Sequence, residues 1–494
     1  MPDLRMKTPE NMKMSFPWRI ITAAVIILSG VLWYISNGLR GDYWYLLWIA
    51  PLPVLLVAFN SSSKQIFFFS FIAYLIGRLS WFNYLVEVAT WIPAIIFTIA
   101  LPLIFACIMV LTRKMYIKSN SWYVVFTFPV FFTAFEWLMI TFSPDGTAAS
   151  IAYSQANVLP LIQIASVTGI LGITFMSTFI PSAMAVAWHF RQENIKLVPL
   201  TIISLFLIGS VFLFGFIRIN NIPESDKDTV GLVVLDEGSH KMGNLTFQDE
   251  LEHVQNYALE IKKLSEQGAK LVVLPERAIN INKETDSASI YILSTCAKQN
   301  QVNIVAGYTN FKNEAARNSA LAINEQGIVT MDYNKTHLVN GLEDNFVAGT
   351  RLGLFKYRSF LFGTAICKDL DFPDYIKQYA RNKIVILCVP AWDFVVDDWL
   401  HSRMAILRSV ENGFSMSRTA RLGRLTICDP YGRVEAEVTC SNGKAPRLIG
   451  QRLVWISNHN YRYWFPFNHS NKKKGAVITE PYQNDRQSQS IFKF

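Results

Sequence analysis

The chain has 494 residues, too many for one compact core, and its charge is unevenly spread: residues 1–220 hold 13 Lys/Arg and 7 Asp/Glu, residues 221–494 hold 33 and 30. The net charge of +9 therefore divides into +6 and +3, and neither half has the dense basic face of a nucleic-acid binder. The apolar first half excludes a wholly soluble protein, and 51% hydrophobic with 14% aromatic content excludes intrinsic disorder.

Seven apolar runs of bilayer-spanning length lie near 18–36, 43–59, 65–85, 91–112, 122–142, 160–187 and 197–217. They predict a multi-pass helical bundle over 1–220. The first run follows Arg5, Lys7 and Lys13 as a signal peptide would, but six more runs favour a retained helix. Lys64, then Arg113, Lys114 and Lys118, then Arg191 and Lys196 fall in alternate loops, against Arg40 alone in the others. The positive-inside rule then puts the N-terminus inside and everything after 217 outside the cytoplasm. Arg78 and Glu136 lie within spans, either as a lipid headgroup or lateral entrance site or as interhelical hydrogen bonding.

From about residue 229 short apolar runs alternate with amphipathic helices. Strands are expected at 229–235, 270–274, 302–307, 318–323, 328–333, 352–357, 360–366, 384–389, 414–418 and 424–428. Helices are expected near 246–267, 287–298 and 397–412. This alternation predicts a layered α/β domain over 229–455. A polar tail, 456–494, holds Tyr461, Tyr463, Trp464, Phe465 and Phe467 beside three lysines; it either lies in the lipid interface or packs on its own domain.

Of six cysteines, no pair has metal-site spacing, so no metal is expected, and Cys388 and Cys428 read as core residues. Cys367 differs because it ends an apolar strand and opens into a loop. Glu276 and Lys335 also follow directly on strands. A carboxylate, an ammonium and a thiol at three strand ends supply a base, an oxyanion partner and a nucleophile. Each taken singly is an ordinary loop or core residue; their joint occurrence carries the reading.

Leu274-Pro275-Glu276, Tyr333-Asn334-Lys335 and Ala365-Ile366-Cys367 resemble the Glu–Lys–Cys triad of the nitrilase (carbon–nitrogen hydrolase) superfamily, as do Pro390-Ala391-Trp392 and the segment from Asp429 to Arg433. The preceding bundle narrows the resemblance to the apolipoprotein N-acyltransferase family, with Phe135-Glu136-Trp137-Leu138, Ala152-Tyr153-Ser154-Gln155 and the lysine loop from Lys335 to Glu343 as further matches. The resemblance implies a nitrilase-like αββα sandwich after the bundle. It implies Glu276 as general base, Lys335 at the oxyanion and Cys367 as nucleophile. Glu343 is implied to orient Glu276 or Lys335, a solvated loop carboxylate being the other reading of it. The implied activity is ping-pong transfer of a phospholipid acyl chain, through a cysteine thioester, to the N-terminal diacylglyceryl-cysteine of a lipoprotein at the inner membrane, with no cofactor.

The chain departs from the family in places. Lys368-Asp369 replace the usual Tyr-Glu after the cysteine, which puts a charge where an aromatic normally lines the pocket. Asn340-Gly341-Leu342 and Asp236-Glu237-Gly238 are atypical, and no apolar run follows the catalytic region. Two rivals remain: a membrane-anchored carbon–nitrogen hydrolase acting on another substrate, and a non-catalytic binding protein.

Overall fold

The computed structural model describes residues 16–36, 39–221, 226–235, 246–312, 315–440 and 447–454; the expectations for 236–238 and for the tail at 456–494 fall outside these. Every apolar run is helical. The first is α1 (Phe16–Ser36) and the second a 3-10 turn (Trp44–Trp48) followed by α2 (Leu52–Ala58). Then come α3 (Ser63–Arg78), α4 (Phe82–Ala89), α5 (Trp91–Ser119), α6 (Thr127–Phe142), α7 (Leu159–Ile162), α8 (Ala165–Thr168), α9 (Ile170–His189) and α10 (Asn194–Asn220).

Five segments, Ser63–Ala89, Trp91–Ser119, Trp122–Phe142, Ile170–His189 and Asn194–Asn220, have the length and hydropathy to cross a bilayer. They make this a multi-pass membrane protein. The expectation of seven like spans needs adjustment at two of them. Prolines at 51 and 53 restart the second run as a seven-residue helix. It still reaches both ends of the bundle, since Gly41 packs on Trp399 of the α/β layers and Phe59 stacks between Tyr116 and His189 at the far end. The sixth run breaks at Gly169, whose φ of +66° turns α8 into α9.

The two charges inside the spans serve the bundle. Glu136 accepts hydrogen bonds from Ser150 Oγ (3.0 Å), from the Ile151 N–H (2.8 Å) and from Thr174, so it fixes the loop after α6. Arg78 is buried with its guanidinium 4.8 Å from the centre of the Trp81 ring.

The second half is a four-layer sandwich. One sheet contains β1 (Asp226–Val233), β2 (Leu271–Val273), β3 (Ile279–Ile281), β4 (Asn303–Asn310), β5 (Arg317–Ile323) and β6 (Val329–Asn334). The other contains β7 (Gly353–Tyr357), β8 (Phe360–Thr364), β9 (Ile386–Trp392), β10 (Ser415–Arg421), β11 (Arg424–Cys428) and β12 (Val434–Thr439). The chain then returns as β13 (Arg447–Val454), antiparallel to β1. The strand orders are β13-β1-β2-β4-β5-β6, with β3 on β4, and β12-β11-β10-β9-β8-β7.

Val230, Leu232, Leu271 and Val273 meet Phe362, Ile386, Cys388 and Ile427 between the sheets. Helices α11 (Phe247–Glu266) and α12 (Asp286–Asn300) cover the outer face of the first sheet through Val254, Ile261, Leu264 and Leu293. Helices α13 (Pro373–Arg381) and α14 (Asp398–Asn412) cover the second through Ile376, Tyr379, Ala405 and Ile406. This is the αββα arrangement expected. Helix α14 has a second face: Trp399, Leu400, Met404, Leu407 and Val410 pack with Tyr84, Tyr153, Leu161 and Ile170 of the bundle. One helix is thus the shared wall of both halves.

Candidate active site

Three of the expected residues lie just past strand ends, two on the first sheet and one on the second. Glu276 follows β2. Its backbone crosses so near β4 that a Cβ on Gly307 would lie 2.3 Å from the Pro275 carbonyl oxygen, so only glycine fits there. Lys335 follows β6, anchored by its N–H to the Asn318 carbonyl (2.8 Å) and by its own carbonyl to the Gly349 N–H (2.8 Å).

The structure brings Glu276, Lys335 and Glu343 together. The Lys335 ammonium donates to Glu276 Oε1 at 2.8 Å and to Glu343 Oε2 at 2.9 Å, and all three side chains are buried. Asn318 Nδ2 bridges the same two carboxylates, 2.5 Å from an oxygen of each. Glu343 also accepts from the Val339 N–H (2.8 Å), so it is a built-in member of the cluster and not a solvated loop residue. Among the described residues Glu276 Oε2 is buried without a hydrogen-bond partner.

Burial alone would lower the Lys335 pKa, but the charges of Glu276 and Glu343, with Cys367 adding to them when ionised, hold it above the ordinary lysine value. Lys335 is therefore a fixed cation. Glu343 is pushed up by burial, yet the Lys335 charge and the hydrogen bonds leave it below the usual carboxylate range.

Cys367 opens the 3-10 turn at Cys367–Asp371 with φ of +42°, a left-handed conformation that costs a non-glycine residue on the order of 1–3 kcal/mol. Asp369 holds that turn. Its Oδ2 accepts from the Ile366 N–H (2.9 Å) and the Tyr333 hydroxyl (2.6 Å), while Oδ1 accepts from the N–H groups of Thr336 (3.2 Å) and His337 (2.9 Å). One carboxylate therefore ties the cysteine turn to the lysine loop. The thiol donates to the Trp392 carbonyl at 3.4 Å. Burial, then the Glu276 charge, push its pKa well above that of a free thiol, against the opposing pull of Lys335. Both effects favour the protonated thiol.

The bundle grips this turn directly. The backbone N–H and hydroxyl of Thr147 donate to the Asp371 carbonyl (2.9 and 3.0 Å), and Gly146 approaches that carbonyl so closely that a Cβ would lie 2.3 Å from its oxygen. The Lys368 ammonium is taken by Asp145 at 2.5 Å. The charge expected in the pocket is instead a latch to the loop after α6.

The sequence reading missed Asn318, Asp369 as a connector and the Trp392 carbonyl. Asn318 had little signal, since it sits between Arg317 and Ser319 at the polar end of its strand.

Two sequence profiles match the chain: the apolipoprotein N-acyltransferase N-terminal domain over 29–183 and carbon-nitrogen hydrolase over 239–441. A protein from Geobacter metallireducens named apolipoprotein N-acyltransferase is 24% identical over 83% of this chain and 85% of its own. One of the same name from Haemophilus influenzae is 23% identical over 90% of each. The 2-oxoglutaramate amidase of Bacillus subtilis is 27% identical over 38% of this chain and 80% of its own.

Proposed function

Since the chain belongs to the apolipoprotein N-acyltransferase family, we propose that it acylates the N-terminal amine of diacylglyceryl-cysteine lipoproteins with a chain taken from a phospholipid, Cys367 carrying that chain between the two. Glu276 Oε2 removes the thiol proton, and the sulfur attacks an ester carbonyl of the glycerophospholipid. The Lys335 ammonium offsets charge on the carbonyl oxygen. The carbon–oxygen bond then breaks, the departing lysophospholipid oxygen takes the proton from Glu276, and a thioester remains. In the second half the lipoprotein amine attacks the thioester and passes a proton to Glu276. The carbon–sulfur bond breaks, Glu276 returns the proton to sulfur, and an amide is released. Glu343 and Asn318 hold Lys335 and Glu276 in register. The catalytic layers stand on the periplasmic side of the inner membrane, as the lysine and arginine bias of the loops supports.

The observation that carries this reading is the grip of Asp145, Gly146 and Thr147 on the cysteine turn. A hydrolase for a small soluble amide has no use for a nucleophile bolted to a membrane loop, whereas both lipid substrates must reach it from the bilayer. The runner-up is a membrane-anchored carbon–nitrogen hydrolase, supported by the likeness to the amidase over the catalytic half.

The test is protein reconstituted in vesicles with acyl-labelled phospholipid and a diacylated lipopeptide. Lysophospholipid release, an acyl adduct on Cys367 and label on the peptide amine are expected, all lost in Cys367→Ala. Transfer that survives in Cys367→Ala overturns the scheme, and release of ammonia from amides with no acyl adduct would favour the hydrolase.

A further inference from the structure

Beside the base stands a cation that the chemistry above leaves unused. Arg277 follows Glu276 directly and has φ of +51°, a strained conformation for arginine. The guanidinium lies over two rings, 4.9 Å from the centre of Phe346 and 5.8 Å from that of Trp392. Its Nε donates to the Thr309 hydroxyl at 3.2 Å. Aromatic faces clamp the plane of a guanidinium but do not satisfy its in-plane N–H groups. Among the described residues no carboxylate pairs with the two terminal nitrogens. Arg421 brings a second positive charge to the same indole, its guanidinium 4.8 Å from the Trp392 ring centre. Burial lowers the Arg277 pKa, and Arg421 lowers it further, against Glu276 and Glu343.

Trp392 joins this cation to the chemistry, because the residue whose ring carries Arg277 also gives its carbonyl to the Cys367 thiol. In a glycerophospholipid only the glycerol separates an acyl ester from the phosphate. A donor whose ester carbonyl reaches the sulfur keeps its phosphate within a glycerol's length of the thiol, the neighbourhood that Trp392 shares with Arg277.

We propose that Arg277 is the phosphate anchor of the acyl donor, using its terminal N–H fork to grip the phosphodiester while Cys367 attacks the ester. The inference rests on the acyltransferase reading and assigns a donor-specificity determinant within it. The forked guanidinium matches two phosphate oxygens, which lysine does not. The acceptor has no phosphate, so the anchor acts in the first half-reaction.

The test measures formation of acyl-Cys367 by mass spectrometry, without acceptor, from dipalmitoyl phosphatidylethanolamine and from dipalmitoylglycerol, which offers the same esters without phosphate. Arg277→Gln is expected to lower the wild-type preference for the phospholipid on the order of tenfold or more, and Arg277→Lys to lower it less. If Arg277→Gln melts like the wild type and loses rate equally on both donors, the anchor is overturned. Should Arg277→Gln not fold, the donor preference of Arg277→Lys decides in the same way. Inorganic phosphate added to the dipalmitoylglycerol reaction is expected to leave its rate unaltered; inhibition of the wild type alone would assign the corner to a free anion and overturn the lipid assignment. Wild type that forms no acyl-Cys367 from either donor would defeat the acyltransferase reading itself, a result distinct from failure of the anchor.

Discussion

Lys335→Met is the sharpest test of the buried cluster, because it removes one positive charge from between two carboxylates. Glu276 and Glu343 each place an oxygen 2.5 Å from the same Asn318 nitrogen, so those oxygens lie within about 5 Å of each other. At an effective dielectric of about 20, two unit charges at that separation repel by about 3 kcal/mol, which raises the pKa of one carboxylate by roughly two units. Breaking a buried ion pair by deleting one partner typically costs about 3–5 kcal/mol.

The sign follows from linkage. A carboxylate whose folded pKa lies above its unfolded value contributes stability that is fully present below the unfolded pKa and is lost as pH rises through the folded one. The variant should therefore recover about 2 kcal/mol of its deficit between about pH 8 and about pH 5. In the wild type Glu343 is depressed, so its contribution is present above the unfolded pKa and is lost as pH falls through the folded one; the two proteins slope in opposite senses. Unfolding in detergent at the two pH values, compared between variant and wild type, reads this directly. An equal deficit at both values would refute the geometry of paired carboxylates.

Other expectations follow from the same contacts. Because the Cys367 pKa is raised above that of a free thiol, its alkylation by iodoacetamide should be slow at neutral pH and accelerate as pH rises; rapid labelling at about pH 7 would mean a thiolate already present. Glu276→Gln should slow acyl-Cys367 formation by about two to four orders of magnitude, measured in a single turnover from phospholipid. Asp145→Ala releases Lys368 from a partly exposed pair, so thermal stability should fall by no more than about 1 kcal/mol while turnover falls more; equal turnover would show the latch to be idle. Glu136→Leu leaves Ser150, Ile151 and Thr174 without their acceptor and should lower the melting temperature through a loss of at least about 2 kcal/mol.

Much of the site was legible because Glu276, Lys335 and Cys367 each come just past the end of a strand, where the sequence pattern itself changes. Glu343 was reached only through resemblance, since a carboxylate in a polar loop has no local signature of burial. Asn318 was hidden because nothing in a strand pattern says which neighbour an amide will meet. Lys368 looked like a pocket charge because its partner, Asp145, is 223 positions away in another half of the chain. The spans were legible from hydropathy, but a hydropathy window averages over the prolines that shorten the second run. In the same way α14 gives an amphipathic pattern for one face and no warning that its opposite face is also covered.

That doubly covered helix constrains how the molecule is made. The platform that receives Trp399, Leu400 and Met404 is translated before them, so the later half completes itself on a surface already embedded in lipid. Residues 226–454 produced alone would present this seam to water and should aggregate through it. Detergents that strip the bundle's annulus would therefore be felt at the thiol, because the seam and the cysteine turn are fastened to the same loops.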